Sequence, residues 1–137
     1  SYRVPYKEED TCVLEIKYIA FLENDNKKYV EFVDKLWINN APEFNNRPFR
    51  FKCGSIVTIR CPSEVNILGK TAYFCFWQKE EKEPTFQGII IPNETITITL
   101  NERKQVWWAN YVILDDKIEG NNYNWCFDDL CDEVWEK

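Results

Sequence analysis

The stretch from Gly54 to Trp77, GSIVTIRCPSEVNILGKTAYFCFW, sets the strongest limit on what this chain can fold into. Its first part alternates, with Val57, Ile59 and Cys61 on one side and Ile56, Thr58 and Arg60 on the other. Period two is the mark of a half-buried β-strand. Pro62-Ser63-Glu64 stops that strand, because proline has no N–H to give to a ladder. After a turn at Gly69-Lys70, Thr71–Trp77 is apolar on both faces: Ala72, Phe74 and Phe76 on one, Tyr73, Cys75 and Trp77 on the other. A strand of this kind needs cover on both sides and belongs inside a sheet. Gln105–Leu114 (QVWWANYVIL) has the same two-faced content and is expected to be the second inner strand.

The rest of the chain repeats the strand–turn rhythm. Ser1–Thr11 mixes charges with Pro5 and reads as a loosely held arm. Cys12–Phe21 alternates, with Leu14, Ile16, Tyr18 and Ala20 against Glu15 and Lys17, and predicts a strand with one wet side. Lys27–Trp37 fits helical spacing at Tyr29, Val33 and Leu36, but β-branched and aromatic residues tilt it towards strand. Asn39–Pro48 (NNAPEFNNRP) has no period and reads as the longest internal loop. Gln78–Glu83 is a solvated charge run. Thr85–Ile91 and Thr95–Leu100 are strands, the second with Ile96, Ile98 and Leu100 inward. Asp115–Asn122 is a polar turn and Tyr123–Phe127 a short strand. Asp128–Glu136 opens on acids and predicts a short C-terminal helix pinned through Cys131. About seven or eight strands with no repeating helix predict one all-β domain over 1–137, a disulfide-linked antiparallel β-sandwich or Greek key.

The six cysteines, Cys12, Cys53, Cys61, Cys75, Cys126 and Cys131, form no CxxC knuckle, and the chain has no histidine. An even count without metal-ligand spacing predicts three disulfides and an oxidising compartment. The missing initiating methionine is what a chain trimmed of a signal peptide would show. Secretion is therefore expected, with Asn93-Glu94-Thr95 as a glycosylation sequon in a turn. No apolar run is long enough to span a bilayer. A net charge of −6 with scattered lysines and arginines argues against nucleic acid and anionic membranes.

Gly54, Val57, Ile59 and Cys61, followed by Val65, Ile67, Gly69 and Cys75, resemble the middle of a complement-control-protein (sushi) module. The departures are the position of Trp77, the lack of a closing cysteine nearby and a chain about twice the length of one such module. The same stretch is also similar to an immunoglobulin domain. That likeness implies Cys61 on the second strand, Trp77 on the third and Cys126 as the partner of Cys61. Both families mostly bind proteins, so the resemblance implies a protein ligand.

Without histidine, Ser-His-Asp and Cys-His nucleophile arrangements are excluded, and no glycine-rich phosphate loop is present. Carboxylate chemistry remains, at Asp115, Asp116 and Glu119 or at Asp128, Asp129, Asp132 and Glu133, as a glycoside hydrolase would need. Tryptophans offer a third reading, a carbohydrate-binding module. The expected function is a secreted, non-enzymatic module, with no cofactor and no metal, that engages another extracellular protein. A parasite or viral immunomodulator acting on a host cytokine, receptor or complement protein is one such setting. Phe44, stranded in the Asn39–Pro48 loop, is either a plug or an exposed anchor for that partner. Trp37 and Trp125 are the next candidates.

Overall fold

The alternating segments become strands, and the chain changes sheet where turn residues interrupt the alternation. The computed structural model describes residues 10–23, 25–80 and 90–114. Among them are eleven strands and no α-helix: β1 (Thr11–Leu22), β2 (Asp25–Phe32), β3 (Lys35–Ile38), β4 (Ala41–Phe44), β5 (Phe49–Lys52), β6 (Ile56–Arg60), β7 (Glu64–Ile67), β8 (Lys70–Lys79), β9 (Ile90–Ile91), β10 (Thr95–Thr99) and β11 (Lys104–Ile113). The seven-stranded sheet runs β2-β1-β11-β8-β7, with β5 added to β1 and β9 to β8; the four-stranded sheet runs β10-β6-β3-β4. The first nine residues of the expected arm, most of the Thr85–Ile91 strand, the Asp115–Asn122 turn, the Tyr123–Phe127 strand and the Asp128–Glu136 helix lie outside the described residues, as do Trp125, Cys126, Cys131 and both acidic clusters.

The core sits between the sheets. Leu14, Ile16, Tyr18, Phe74, Trp77 and Tyr111 from the larger sheet meet Leu36, Ile38, Val57, Ile59, Ile96 and Ile98 from the smaller. Three long aromatic side chains reach across this layer and end on main-chain carbonyls at the far side. Tyr18 Oη donates to Lys35 C=O at 2.9 Å, Tyr111 Oη to Pro62 C=O at 2.6 Å, and Trp77 Nε1 to Glu94 C=O at 3.0 Å. Each ring fills apolar volume while its polar tip stays satisfied, and together they fix how one sheet sits on the other.

Both expected inner strands are inner: β11 lies between β1 and β8, and β8 between β11 and β7. Three expectations need correcting. The sandwich is not purely antiparallel, because β1 and β11 run parallel from Val13↔Lys104 to Leu22↔Ile113. The connection between them is most of the chain, so no crossover helix is needed. Strands paired this way are buried on both faces; Ile19 and Phe21 join Val106 and Trp108 on the outer face of the larger sheet, and the second half of β1 has no wet side.

The second correction concerns β8. A bulge against Asn110–Tyr111 sets Phe74 opposite Tyr111 and Phe76 opposite Asn110, so Cys75 is the extra residue. A bulge reverses the parity of everything after it. Ala72, Phe74 and Trp77 therefore face the core, while Cys75 and Phe76 share the outer face with Val112. Phe76 and Trp77 exchange the faces that strict alternation assigns them.

The third correction concerns the cysteines. Cys12 on β1 is bonded to Cys53 just past β5, with Cα atoms 5.0 Å apart, and Cys75 is also disulfide-bonded. Cys61 is a free thiol and is buried. It faces the inter-sheet layer within hydrogen-bond reach of the Tyr111 hydroxyl, and burial pushes its pKa well above the usual thiol range. The Cys61–Cys126 link implied by the immunoglobulin likeness is therefore not formed, and an even count of cysteines did not mean complete pairing.

Candidate functional site

The outer face of the four-stranded sheet carries the side chains that β3, β4, β6 and β10 turn away from the core. In β3 the order Lys35-Leu36-Trp37-Ile38 puts Leu36 and Ile38 inside and leaves Lys35 and Trp37 outside. Trp37 pairs with Arg60 on β6 and with Pro42 on β4; Lys35 pairs with Phe44. Directly opposed residues share a face, so Trp37 and Phe44 are diagonal neighbours on it. Both stand out in the sequence as candidate anchors, and the fold brings them together.

Asn39–Pro48 is not the irregular loop its composition indicates. Asn39 and Asn40, with φ of 51° and 69°, form the two-residue tip of a hairpin that joins β3 to β4. Two consecutive left-handed residues match the right-handed twist of the flanking strands, and asparagine adopts that conformation at low cost. The Asn39 side chain also accepts the Thr58 N–H through Oδ1 at 2.9 Å, tying the tip to β6. Pro42 fits because its nitrogen faces the free edge. At the other end, Asn45 accepts the Asp34 N–H through Oδ1 at 2.7 Å and donates through Nδ2 to Phe32 C=O at 3.2 Å, bridging the point where the chain leaves one sheet for the other. Phe44 is 52% exposed and is not a plug.

Two features give this face its chemistry. The Arg60 guanidinium lies 3.9 Å from the centre of the Trp37 ring, and Lys35 Nζ is 5.8 Å from it. A cation over an indole is held by the ring quadrupole. The remaining outward positions are Ile56 and Thr58 on β6 and Thr95, Thr97 and Thr99 on β10, with the Thr58 and Thr97 hydroxyls 3.4 Å apart. No carboxylate belongs to the outward set on these four strands, although the chain is acidic.

Other candidates fall elsewhere. Asn93 is exposed in the bend before β10, and its Oδ1 accepts the Thr95 N–H at 3.2 Å, so the sequon is accessible. Trp77, Trp107 and Trp108 are buried. Trp37 is thus the one tryptophan among the described residues with a surface to offer. A cleft of about 390 Å³ opens where β1 passes from pairing with β5 to pairing with β2, between Glu15, Lys17, Glu31, Asn46 and Arg47. Among the described residues no group of three or more His, Cys, Asp or Glu side chains could hold a metal ion. No helix among them is long and apolar enough to cross a membrane.

Lys35 and Arg60 were missed in the sequence as site residues. Their signal was present in the alternation of β3 and β6, which sends each charge to the side away from its apolar neighbours. The cross-strand register that sets Arg60 on Trp37 was not. Comparison of the chain with protein-family models, with curated proteins and with solved structures finds no match.

Proposed function

We propose that this chain is a secreted, non-catalytic module that holds an acidic surface of another extracellular protein against the outer face of its four-stranded sheet. The observation that carries this reading is the Trp37–Arg60 stack beside exposed Phe44, on a face without carboxylates in a chain of net charge −6. Tryptophan, other aromatics and arginine are the residues that dominate binding energy at protein interfaces. A guanidinium already stacked on a ring reaches a partner carboxylate with less side-chain entropy to lose. The disulfide and the accessible sequon support an extracellular setting.

A carbohydrate reading has less support. Sugar stacking needs a bare ring, and one face of Trp37 is taken by Arg60. The test is capture from extracellular fluid on the immobilised chain, run in parallel with Trp37→Ala and Arg60→Glu variants of unchanged melting temperature. The expected result is a protein retained by the wild type, released by high salt, and bound at least about tenfold more weakly by each variant. A protein ligand held equally by all three chains contradicts the proposal. A glycan bound by the wild type and lost with Trp37→Ala would replace it.

A further inference from the structure

The two edges of the four-stranded sheet are built differently. On β4 the outward edge holds Pro42, which offers no N–H. β10 ends the sheet on the other side and reads Thr-Ile-Thr-Ile-Thr, without charge, proline or glycine. Its own sequence therefore carries none of the charges or prolines that keep an edge strand from pairing. Cys61 N–H donates to Glu94 C=O and Leu100 N–H to Ser55 C=O, so the even-numbered residues turn their backbone to β6. In an antiparallel ladder the alternate residues then turn theirs away. Those are Thr95, Thr97 and Thr99.

Two groups on this edge are satisfied within the chain. Thr95 N–H donates to Asn93 Oδ1, and Thr99 C=O accepts from Asn101 N–H and from Gln105 Nε2, each at 2.9 Å. Thr95 C=O, both groups of Thr97 and Thr99 N–H have no partner among the described residues.

We propose that a second copy of this chain pairs with β10 along this edge, antiparallel about a twofold axis at Thr97. In that register Thr97 faces its own counterpart, and the two residues exchange both main-chain hydrogen bonds. Thr99 N–H donates to Thr95 C=O of the second copy, and the symmetric bond forms as well. The groups left opposite each other, Thr95 N–H and Thr99 C=O, are the ones already satisfied inside each chain. The free set is thus complementary to itself. A foreign strand would have to reproduce that pattern, whereas an identical one does so by symmetry. The palindrome also sets Ile96 beside Ile98 of the second copy, with no like charges along the seam.

The twofold axis stands perpendicular to the sheet, so the two outer faces look the same way. Five strand spacings separate one Trp37 from the other, about 24 Å. If those faces bind as proposed above, the pair engages a clustered partner bivalently. A seam one short strand wide is smaller than a standard protein interface, so the dimer is expected to be weak and dependent on concentration.

Sedimentation equilibrium of the full chain, from micromolar to millimolar, reads this directly. The expected average mass rises from 16.5 kDa towards twice that value. Thr97→Pro removes the donor on the axis at a position where an edge strand accepts proline, and should remain at monomer mass with unchanged melting temperature. Thr97→Lys, which sets two ammonium groups near the axis, should do the same at low salt and covers the case in which proline disturbs β10. Trp37→Ala should dimerise like the wild type, so loss of partner binding and loss of pairing are distinguishable. A wild type that stays monomeric throughout overturns the proposal, as does a dimer left intact by both Thr97 variants.

Discussion

Trp108 and Trp37 both point outward from their sheets, and their fates differ. Trp108 stands on the outer face of the seven-stranded sheet, is 4% exposed, lies among Ile19, Phe21 and Val106, and donates through Nε1 to Glu80 C=O at 2.9 Å. Trp37 stands on the outer face of the four-stranded sheet with cations for neighbours. Both faces carry aromatic rings. What separates them is cover: one face is closed over its rings, while the other is open and leaves Phe44 exposed beside Trp37. Apolar content alone does not identify a site.

Truncating the two rings should break this symmetry most visibly. Trp108→Ala is expected to lower unfolding free energy by about 3–5 kcal/mol, as cavity formation does in a packed layer. Trp37→Ala is expected to cost under about 1 kcal/mol, mainly the lost cation–ring contact. Denaturant titration of both variants measures the difference, and equal costs would mean that the two faces are equally closed.

Alkali separates closed from open layers in another way. Burial raises the pKa of Cys61, Tyr18 and Tyr111, which face one another between the sheets, above their ordinary values of 9.0 and 10.0. The folded state keeps these protons after the unfolded chain has released them, so the stability they contribute is complete below about pH 9 and is lost as pH rises. The slope approaches about 1.4 kcal/mol per pH unit for each group past its unfolded pKa. Melting temperature should therefore fall steeply above pH 9, and Cys61→Ala should delay the onset. A native thiol reagent should leave Cys61 unmodified until the chain unfolds.

The smallest effect concerns an exposed residue away from the open face. Leu68, at the tip of the β7–β8 hairpin beside Gly69, is 85% exposed and has φ of 54°. A branched side chain is strained in that region. Leu68→Gly should raise stability by about 1 kcal/mol or less and leave partner affinity unchanged. Lost affinity would show that the recognition surface extends beyond the four-stranded sheet.

Local pattern made much of this legible. Period-two alternation in Val57–Cys61 and Thr95–Leu100, and two-faced runs at Thr71–Trp77 and Gln105–Leu114, give strands, their inner positions and the β-sandwich. Lys27–Trp37 is strand, as its β-branched and aromatic residues indicate, although it divides at Val33–Asp34 where the chain changes sheet. What was not legible depends on pairing. Alternation on β1 and β11 is satisfied equally by parallel and antiparallel neighbours. The bulge that swaps Phe76 and Trp77 exists only because β8 has β11 beside it. Asn39-Asn40 did carry a hairpin signal, but Pro42 reads as a breaker until the strand around it is known to be an edge. The same register places Arg60 on Trp37, so the site became visible only when the strands were assembled.

Open against closed can be tested on the rings themselves. Limited oxidation of the native chain with an indole-selective reagent, mapped by mass spectrometry, should modify Trp37 well before Trp77, Trp107 or Trp108, and a bound partner should protect Trp37 alone among the four. Modification of Trp108 as fast as Trp37, or no protection of Trp37 in the complex, would contradict the proposal that the four-stranded sheet's outer face is the binding surface.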